Sequence, residues 1–361
     1  MSADEFDVIR TLFAPHAQAP GARGLADDVA LIDAGGPLIV TTDAIVEGVH
    51  FRADDPIATV AMKALRVNVS DLVAKGAQPG AALLTLVWPR SRPAEDIAIF
   101  AEAFGGDLSF FGMSLLGGDT TSTDGPLTVS VTAFGMPLAE RTPSRADAKV
   151  GDDVWLIGGE IGSAWLGLQL RSGAMKLEEI SRGRDADAAK AEAEAEAEAL
   201  TGQIPDYLVL PGEALDAEAA WLMSTYLAPF VRPECAAFVA RFAHASMDVS
   251  DGLVADAAKL AAASRVALRI EANAIPFSIP AERWAFSGGD FRKLITGGDD
   301  YVVLFTAPRE MRDQIAESEG AGALRLSRVG QVEEGEGVQV VDGQGHAIPI
   351  PEPGYSHKLG R

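Results

Sequence analysis

The sequence predicts a protein of two α/β domains, and three observations lead to this fold class. The chain has 361 residues, enough for two domains of ordinary size, and 48% of them are hydrophobic, enough to fill two cores. Short apolar runs typical of buried strands alternate with longer stretches of helical periodicity. A polar, proline-containing stretch at residues 141–151 interrupts this alternation. We therefore predict an N-terminal domain over residues 1–147 and a C-terminal α/β domain over residues 148–361.

The composition excludes several classes of partner. The formal net charge is -22 at pH 7, so neither nucleic acid nor an anionic membrane is an expected partner. The single cysteine, Cys235, rules out an internal disulfide and is typical of a reducing compartment. The first residues are acidic without an apolar signal core, and no run approaches the roughly 20 apolar residues that span a bilayer. We therefore expect a soluble, cytoplasmic protein.

The elements of the first half follow from hydrophobic periodicity and turn residues. Asp55 followed by Pro56 is a good helix opening, with Asp55 as the cap, and Gly76 fits the end of that helix. The predicted elements are a short helix (5–13), strands that begin at residues 29 and 38, a helix (55–75), a strand (81–88), a helix (93–111) and a strand (127–134).

The second half begins with a strand at residues 154–157 and a glycine-containing turn at residues 158–163. This turn could hold a phosphate at a helix N-terminus, but it lacks the Gly-Lys-Ser/Thr of a P-loop. An ordinary strand-to-helix turn explains it equally well. Residues 184–200 form an Ala/Glu-rich insertion with no apolar face, to which we assign no chemical role.

Acidic residues recur next to apolar runs. Thr41, Thr42 and Asp43 follow the run at residues 38–40, and Asp119 follows a second run and a glycine pair in the same way. Hydroxyls and carboxylates at the end of a buried strand are the hard oxygen ligands that Mg²⁺ prefers. A polar turn would explain either motif alone, whereas the repetition favours a metal site.

Two further acidic motifs lie on predicted helices. Asn68 and Asp71 are three apart on a helix that is otherwise largely apolar, which favours functional polar groups over an exposed face. Asp248, Ser250 and Asp251 lie at the start of another helix. An N-terminal cap accounts for one of these three residues, whereas a metal-phosphate site at the helix N-terminus uses all three.

No residue has the setting of a catalytic nucleophile. No serine lies in a nucleophile-elbow motif, Cys235 has no activating histidine nearby in sequence, and no zinc-type spacing of cysteine and histidine exists. Many carboxylates without a protein nucleophile suit chemistry in which metal ions stabilise charge on phosphates.

Six motifs together resemble the thiamine-monophosphate kinase family, in order and spacing, over almost the whole chain. They are Ala26-Asp-Asp-Val-Ala-Leu, Thr41-Thr-Asp with Gly48-Val-His-Phe, Asn68-Val-Ser-Asp-Leu, Gly117-Gly-Asp-Thr-Thr, Met247-Asp-Val-Ser-Asp-Gly-Leu and Gly297-Gly-Asp-Asp-Tyr. This family belongs to the wider aminoimidazole-ribonucleotide-synthetase-like fold. The resemblance therefore implies a mixed N-terminal sheet that forms a β-barrel across a homodimer, followed by a C-terminal α/β domain.

The same resemblance implies ATP- and Mg²⁺-dependent phosphorylation of thiamine monophosphate to thiamine diphosphate. It implies several Mg²⁺ ions as cofactors, ATP as co-substrate and only small-molecule substrates. The implied metal ligands are Asp28, Thr41, Thr42, Asp43, Asp71, Asp119, Asp248 and Asp251. The implied ATP contacts are Gly118, Asp119, Arg145 and Ser250, and the implied thiamine-phosphate contacts are His50, Asp299 and Tyr355.

The chain departs from the family pattern at three places. The usual Gly-Ile-Gly before the first acid pair is Gly24-Leu25-Ala26, and Asp299 replaces a longer glutamate. The Ala/Glu-rich insertion has no recognised counterpart.

The sequence leaves two alternatives open. The first is a sister ATP-dependent enzyme of the same fold, such as aminoimidazole-ribonucleotide or selenophosphate synthetase. Residues 1–40 contain no cysteine, which argues against the latter. The second is a non-catalytic calcium-binding protein, but calcium loops gather their ligands locally and these acids are dispersed.

For the kinase, the attacking phosphate is already anionic, so we expect direct in-line transfer without a covalent protein intermediate.

Overall fold

Each of the two units of the chain is built on its own mixed β-sheet. The computed structural model describes residues 8–25, 30–181, 217–319 and 324–355. The chain divides into Met1–Thr142, the N-terminal unit, and Pro143–Arg361, the C-terminal unit. The Ala/Glu-rich insertion and the first acid pair, Asp27 and Asp28, lie outside the described residues.

The N-terminal unit contains a four-stranded sheet. Its elements are β1 (Ile39–Val46), α1 (Ile57–Ala74), β2 (Ala77–Pro89), α2 (Asp96–Phe110), β3 (Ser114–Thr123) and β4 (Thr128–Pro137). The strand order is β1-β4-β2-β3, with β2 parallel to β3 and the other neighbours antiparallel. Helix α1 packs on β1, β2 and β4, and α2 packs on α1. The two long helices and the strands predicted at 81–88 and 127–134 are confirmed.

Helix α1 is buried on almost every side. Asp71 is its one residue that is not buried. The polar residues inside the helix are paired, as burial requires. Arg66 donates two hydrogen bonds to Asp107 of α2, at 2.6 and 2.9 Å, and Asn68 donates to the carbonyl of Ala64 at 3.0 Å. Gly76 follows the helix with a φ of +66°, the left-handed conformation that ends many helices.

Two strand predictions are wrong in this unit. Residues 30–32 form no strand, because Leu31 and Ile32 are 64% and 43% exposed and no neighbouring strand pairs with them among the described residues. Residues 41–43 do not follow β1 but lie inside it, since the ladder to β4 continues from Ile39 to Val46. Asp119 likewise lies within β3 rather than after it.

The predicted helix opening at Asp55 is also wrong in detail. The N-terminal cap position of α1 is occupied by Pro56, which has no side-chain hydrogen bond to offer. The Asp55 carboxylate instead accepts the backbone N–H of Arg52, at 2.8 Å, and so closes the turn before the helix. The predicted helix at residues 5–13 is described only in part, as a π-helical turn at Ile9–Phe13.

The C-terminal unit contains a six-stranded sheet with helices around it. Its strands are β5 (Asp153–Ile157), β6 (Ala245–Asp248), β7 (Ala267–Glu271), β8 (Val303–Ala307), β9 (Ser327–Glu333) and β10 (Gly337–Val341). Its described helices are α3 (Ser163–Ser172), α4 (Leu177–Ile180), α5 (Ala217–Leu227), α6 (Cys235–Phe242), α7 (Leu253–Ser264), α8 (Ile279–Phe286), α9 (Arg292–Thr296) and α10 (Arg312–Glu319). The strand order is β10-β7-β9-β5-β8-β6, in which only β10 and β7 are parallel.

The core of this unit lies between the sheet and α7. Leu253 and Leu260 of the helix pack with Leu156, Met247 and Leu304 of the strands. Because both ends of α7 are held against this core, the loop that precedes the helix has a fixed point of attachment. That loop contains the candidate residues of this unit.

Cys235 begins α6 and is buried. Burial in these apolar surroundings raises the pKa of its thiol to about 12.

Of the helices that the structure describes, none is long and apolar enough to cross a membrane.

Candidate functional site

The candidate residues of the N-terminal unit meet where β1 crosses α1. Thr41 donates a hydrogen bond from its hydroxyl to Asp71 Oδ2 at 2.5 Å, and the amide of Asp43 donates to Asn68 Oδ1 at 3.0 Å. Thr41, Asp43 and Asp71 are therefore held together by a strand and a helix. Asp71 remains partly exposed on an otherwise buried helix, so its carboxylate is available to a cation.

Thr42 faces the other side of the sheet. Neighbouring residues of a strand point to opposite faces, and Thr42 pairs with Thr132 of β4, whose hydroxyl donates to it at 3.0 Å. Its own hydroxyl donates to the carbonyl of Val131 at 3.2 Å. The structure thus brings Thr41 but not the side chain of Thr42 to Asp71.

Gly118 and Asp119 lie on the opposite edge strand of this sheet. Gly118 has a φ of +154°, and a Cβ at this position would collide with the carbonyl of Leu84 on β2. A glycine is required there for strand packing alone. Asp43 on β1 and Asp119 on β3 are separated by two strands, or roughly 14 Å along the sheet at the usual spacing. We therefore expect the two carboxylates to hold different ions.

His50 lies in the turn after β1. Its Nδ1 accepts the backbone N–H of Val46 at 3.0 Å, which assigns the proton of the neutral ring to Nε2. The turn therefore fixes the position of the imidazole ring.

The candidate loop of the C-terminal unit joins β6 to α7. Asp248 ends β6 and is buried, while Ser250 and Asp251 follow it at intermediate exposure. Neither Ser250 nor Asp251 caps the helix, since the cap position belongs to Gly252. Instead, Oδ2 of Asp256, in the first turn of α7, accepts the backbone N–H groups of Ser250 and Asp251, both at 2.8 Å. A fully buried carboxylate thus holds the loop from inside the helix.

Lys259 adds a cation to the same loop. Its ammonium donates to Asp256 Oδ1 at 2.6 Å and also to Asp251 Oδ2. Burial raises the pKa of Asp256, and the hydrogen bond from Lys259 opposes this shift. Burial lowers the pKa of Lys259, but its bonds to Asp251 and Asp256 outweigh burial, and the net shift is upward. The lysine is therefore a firmly charged partner of Asp251.

A second loop, residues 297–301, lies along the first. The amides of Asp299 and Tyr301 donate to the carbonyls of Ser250 and Val249, each at 2.8 Å. Asp299 and Tyr301 have φ values of +64° and +51°, a left-handed conformation that is costly for side chains other than glycine. Such strain persists only where surrounding contacts hold it. Here the Tyr301 hydroxyl also donates to Asp299 Oδ1 at 3.2 Å.

Asp300 links this second loop to the glycine turn at residues 158–163. Its Oδ1 accepts the N–H of Gly162 at 2.8 Å, while the buried Oδ2 has no hydrogen-bond partner within the described residues. Complete burial raises the pKa of Asp300 well above its ordinary value, and the negative charge of Asp299 adds to the shift. The glycine turn is thus held by a carboxyl group from 138 residues further along the chain.

Tyr355 and Arg145 approach the first loop from different sides. The amide of Tyr355 donates to the carbonyl of Asp251 at 3.0 Å, so the C-terminal segment joins the cluster. The carbonyl of Arg145 accepts the hydroxyl of Ser264, the last residue of α7. The backbone of Arg145 is therefore at the far end of a 12-residue helix from Ser250, about 18 Å away at 1.5 Å per residue.

The donor set of both units consists of carboxylates and hydroxyls, which fits Mg²⁺. Within residues 8–25, 30–181, 217–319 and 324–355, no three His, Cys, Asp or Glu side chains form a grouped metal site. Asp28, the remaining sequence-predicted ligand, lies outside this part of the chain.

Comparison with known proteins identifies the family. The model of the AIR synthase related protein N-terminal domain matches residues 26–136, and that of the C-terminal domain matches residues 227–343. A thiamine-monophosphate kinase from Caulobacter vibrioides is 33% identical over 341 residues, which cover 92% of this chain and 85% of that protein. The chain belongs to the thiamine-monophosphate kinase family. The resemblance of the six sequence motifs to this family is thereby confirmed.

Solved structures of the thiamine-monophosphate kinase family have the same fold. The enzyme from Stenotrophomonas maltophilia is 31% identical, covers 90% of each chain and has a TM-score of 0.70. AaThiL complexed with AMPPCP and TMP is 28% identical, covers 89% of this chain and 88% of that chain, and has a TM-score of 0.69. The predicted two-domain α/β fold class is confirmed for this family member.

Sequence reasoning missed three residues of this thiamine-monophosphate kinase family member. Asp256, Lys259 and Asp300 hold the candidate loops of the C-terminal unit. An acid in the first turn of a helix, followed by lysine three residues later, was the available signal for the first two. Asp300 lies in the Gly297-Gly-Asp-Asp-Tyr motif, but its role could not be predicted, because its partner Gly162 is distant in sequence.

Proposed function

We propose that the protein phosphorylates thiamine monophosphate to thiamine diphosphate with ATP as co-substrate. Membership of the thiamine-monophosphate kinase family over 92% of the chain carries this proposal. The relative solved with AMPPCP and TMP supports the two substrates, since AMPPCP has the triphosphate shape of ATP and TMP in this family is thiamine monophosphate.

We further propose Mg²⁺ as the cofactor, bound at several positions. In the N-terminal unit, Asp43 and Asp71, assisted by Thr41, would hold one group of ions, and Asp119 would hold another. Thr42, the other expected ligand on this strand, has its side chain engaged on the opposite face of the sheet. In the C-terminal unit, Asp248 and Asp251 would be the ligands. When bound, Mg²⁺ neutralises charge on the phosphates of both substrates.

Substrate contacts are assigned to the fixed loops. Ser250 and Gly118 would contact ATP through backbone that Asp256 and strand packing hold in place, and Arg145 would reach it with its exposed guanidinium. His50 would donate from Nε2 to the phosphate of thiamine monophosphate. In the C-terminal unit, Asp299 and Tyr355, both attached to the loop at residues 248–252, are the proposed contacts for thiamine monophosphate.

These residues support direct phosphoryl transfer. The nucleophile is a substrate phosphate that is anionic at neutral pH, so it needs no general base. The described side chains near the candidate loops are acceptors and cations rather than an activated serine, cysteine or histidine pair. The largest obstacle to the reaction is the repulsion between the two anionic substrates. The protein's contribution is to hold the two substrates in line against this repulsion.

A coupled assay tests the proposal. Purified protein with ATP and Mg²⁺ should produce thiamine diphosphate from thiamine monophosphate, and none from unphosphorylated thiamine. Release of ADP without diphosphate formation would overturn the assignment. ATP that is chiral at its γ-phosphorus should give inversion in the product, whereas net retention would indicate a phosphoenzyme.

We also propose that the protein is a cytoplasmic homodimer. The sheet face opposite α1 carries Val40 and Phe134 alongside Leu83, and Val40 is 53% exposed. An exposed apolar sheet face of this kind fits the barrel expected of the family. Light scattering should give a mass of two chains of 37.8 kDa each.

A further inference from the structure

Lys259 brings a positive charge to the candidate loop of the C-terminal unit. It lies in the second turn of α7, and its side chain reaches back towards the start of the helix, as long helical side chains do. There its ammonium bridges two carboxylates, those of Asp251 and Asp256. One of them is buried and holds the loop, and the other is the expected metal ligand.

The two carboxylates differ in what else they bind. Asp256 also accepts two backbone N–H groups, so its position is set independently of the lysine. The side chain of Asp251 is 29% exposed and makes its described polar contact with Lys259. The ammonium therefore binds one oxygen of the carboxylate that is the expected metal ligand, and so places a positive charge there.

We propose that Lys259 is a positioning residue that holds Asp251 in the metal-free protein and gives up that carboxylate when a metal ion binds. The proposal rests on the proposed function, because it assumes a divalent cation at Asp251. The ammonium keeps its bond to Asp256 during the exchange, so it stays at the helix N-terminus as a second positive charge. It competes with the metal ion for the carboxylate of Asp251. Without metal, its positive charge reduces the repulsion between the carboxylates of Asp251 and Asp256.

The exchange can be measured without turnover. The paramagnetic resonance signal of free Mn²⁺ reports binding to the full-length protein, with no nucleotide present. We compare the wild type with Lys259→Met, which keeps the length of the side chain but removes its charge. Lys259→Arg serves as the charge-conserving variant, and Lys176→Met, an exposed lysine before α4, is the matched control.

We expect Lys259→Met to bind Mn²⁺ more tightly by about three-fold, a size typical of a partly exposed ion pair. Its melting temperature should fall in metal-free buffer, and Mn²⁺ should recover part of the loss, because the bond to the buried Asp256 stays missing. Lys259→Arg and Lys176→Met should behave as the wild type in both measurements. Weaker or unchanged Mn²⁺ binding in Lys259→Met, or a loss of melting temperature that Mn²⁺ does not reduce at all, would overturn the proposal.

A double-mutant cycle locates the effect at Asp251. In an Asp251→Asn background, Lys259→Met should no longer change Mn²⁺ affinity, because the contested ligand is gone. A change equal to that in the wild-type background would show that the lysine acts elsewhere. Neither measurement uses thiamine monophosphate, so failure of the kinase assay with a positive cycle would refute the substrate and leave the exchange standing.

Discussion

In the N-terminal unit the candidate carboxylates lie on two strands and a helix, whereas in the C-terminal unit the candidate residues after Asp248, the last residue of β6, lie on loops. Asp43, Asp71 and Asp119 keep their places because the backbone is hydrogen-bonded within regular elements. The loops at 248–252 and 297–301 depend on a buried carboxylate, on mutual hydrogen bonds and on strained φ values. Removing a candidate carboxylate should therefore leave the fold of the N-terminal unit intact. In the C-terminal unit, removing a carboxylate that holds the loops should also lower stability.

The largest effect should come from removing a carboxylate of the N-terminal unit. Asp71→Asn and Asp119→Asn should each lower turnover on the order of 100-fold, since a ligand of a metal that stabilises phosphate charge is lost. Melting temperature should stay nearly unchanged, because Asp71 is partly exposed, Asp119 is exposed, and asparagine keeps a side-chain acceptor at either position. Steady-state kinetics at saturating Mg²⁺ and calorimetry check this. Near-normal turnover in both variants would remove the metal-ligand assignment.

In the C-terminal unit, the comparable change should cost stability first. Asp256→Ala leaves the amides of Ser250 and Asp251 without their acceptor, and we expect the free energy of unfolding to fall by about 3 kcal/mol. Urea denaturation followed by tryptophan emission is suitable, since four of the five tryptophans, at 155, 165, 221 and 284, lie in this unit.

The matched control for Asp256 is Asp96→Ala, another first-turn acid, on α2. Its loss should cost less than about 1 kcal/mol, the usual contribution of an acid near a helix N-terminus. Equal costs for the two variants would mean that Asp256 holds nothing beyond its own helix.

Alanine substitutions at two glycines distinguish the stability cost of backbone strain from the cost of close packing. Gly298 has a φ of +77° and a Cβ there would meet the carbonyl of Ser250, whereas Gly48 has a φ of +81° with open space around it. Gly48→Ala should cost about 1 kcal/mol for the left-handed conformation alone. Gly298→Ala should cost about 2 kcal/mol or more, because the loops must also move apart. Thermal denaturation of both variants checks the order, which a larger loss in Gly48→Ala would reverse.

The smallest effect should be a pH dependence at Asp300. Its pKa is raised in the folded state, so the unfolded chain loses a proton that the folded chain keeps as pH rises through the ordinary aspartate value. Wild-type stability therefore falls with pH from this group. Asp300→Asn keeps an acceptor for Gly162 but has no proton to lose, so its relative stability should grow with pH. Melting curves of the wild type and Asp300→Asn at about pH 4.5 and about pH 8 test this. The same difference in melting temperature between the two proteins at both pH values would contradict the prediction.

The sequence predicted best where local signals decide the structure. Helix α1 has a proline at its start, a glycine after its end and an apolar circumference, and each of these acts within a few residues. The run at residues 41–43 was misplaced because polar residues on a half-exposed edge strand have the composition of a turn. Residues 30–32 are apolar enough for a strand, but a strand also needs a partner edge, which one segment alone cannot reveal.

The candidate site was predictable as a set of residue types but not as a set of contacts. Asp251 could be selected as a ligand, yet its bond to Lys259 depends on how far a side chain reaches along α7. The place of Asp300 depends on the tertiary packing of Gly162. Residues that hold other residues carry little signal of their own, because a buried aspartate and a surface aspartate are identical in sequence.

The buried thiol of Cys235 can report on opening of the C-terminal unit. With one cysteine in the chain and a pKa of about 12, the folded protein should react slowly with alkylating reagents. Modification then requires an opening of the structure around α6, and its rate counts those openings. A substrate or ion that tightens this unit should slow the labelling, so mass measurements over a time course of alkylation can follow ligand binding through this one thiol.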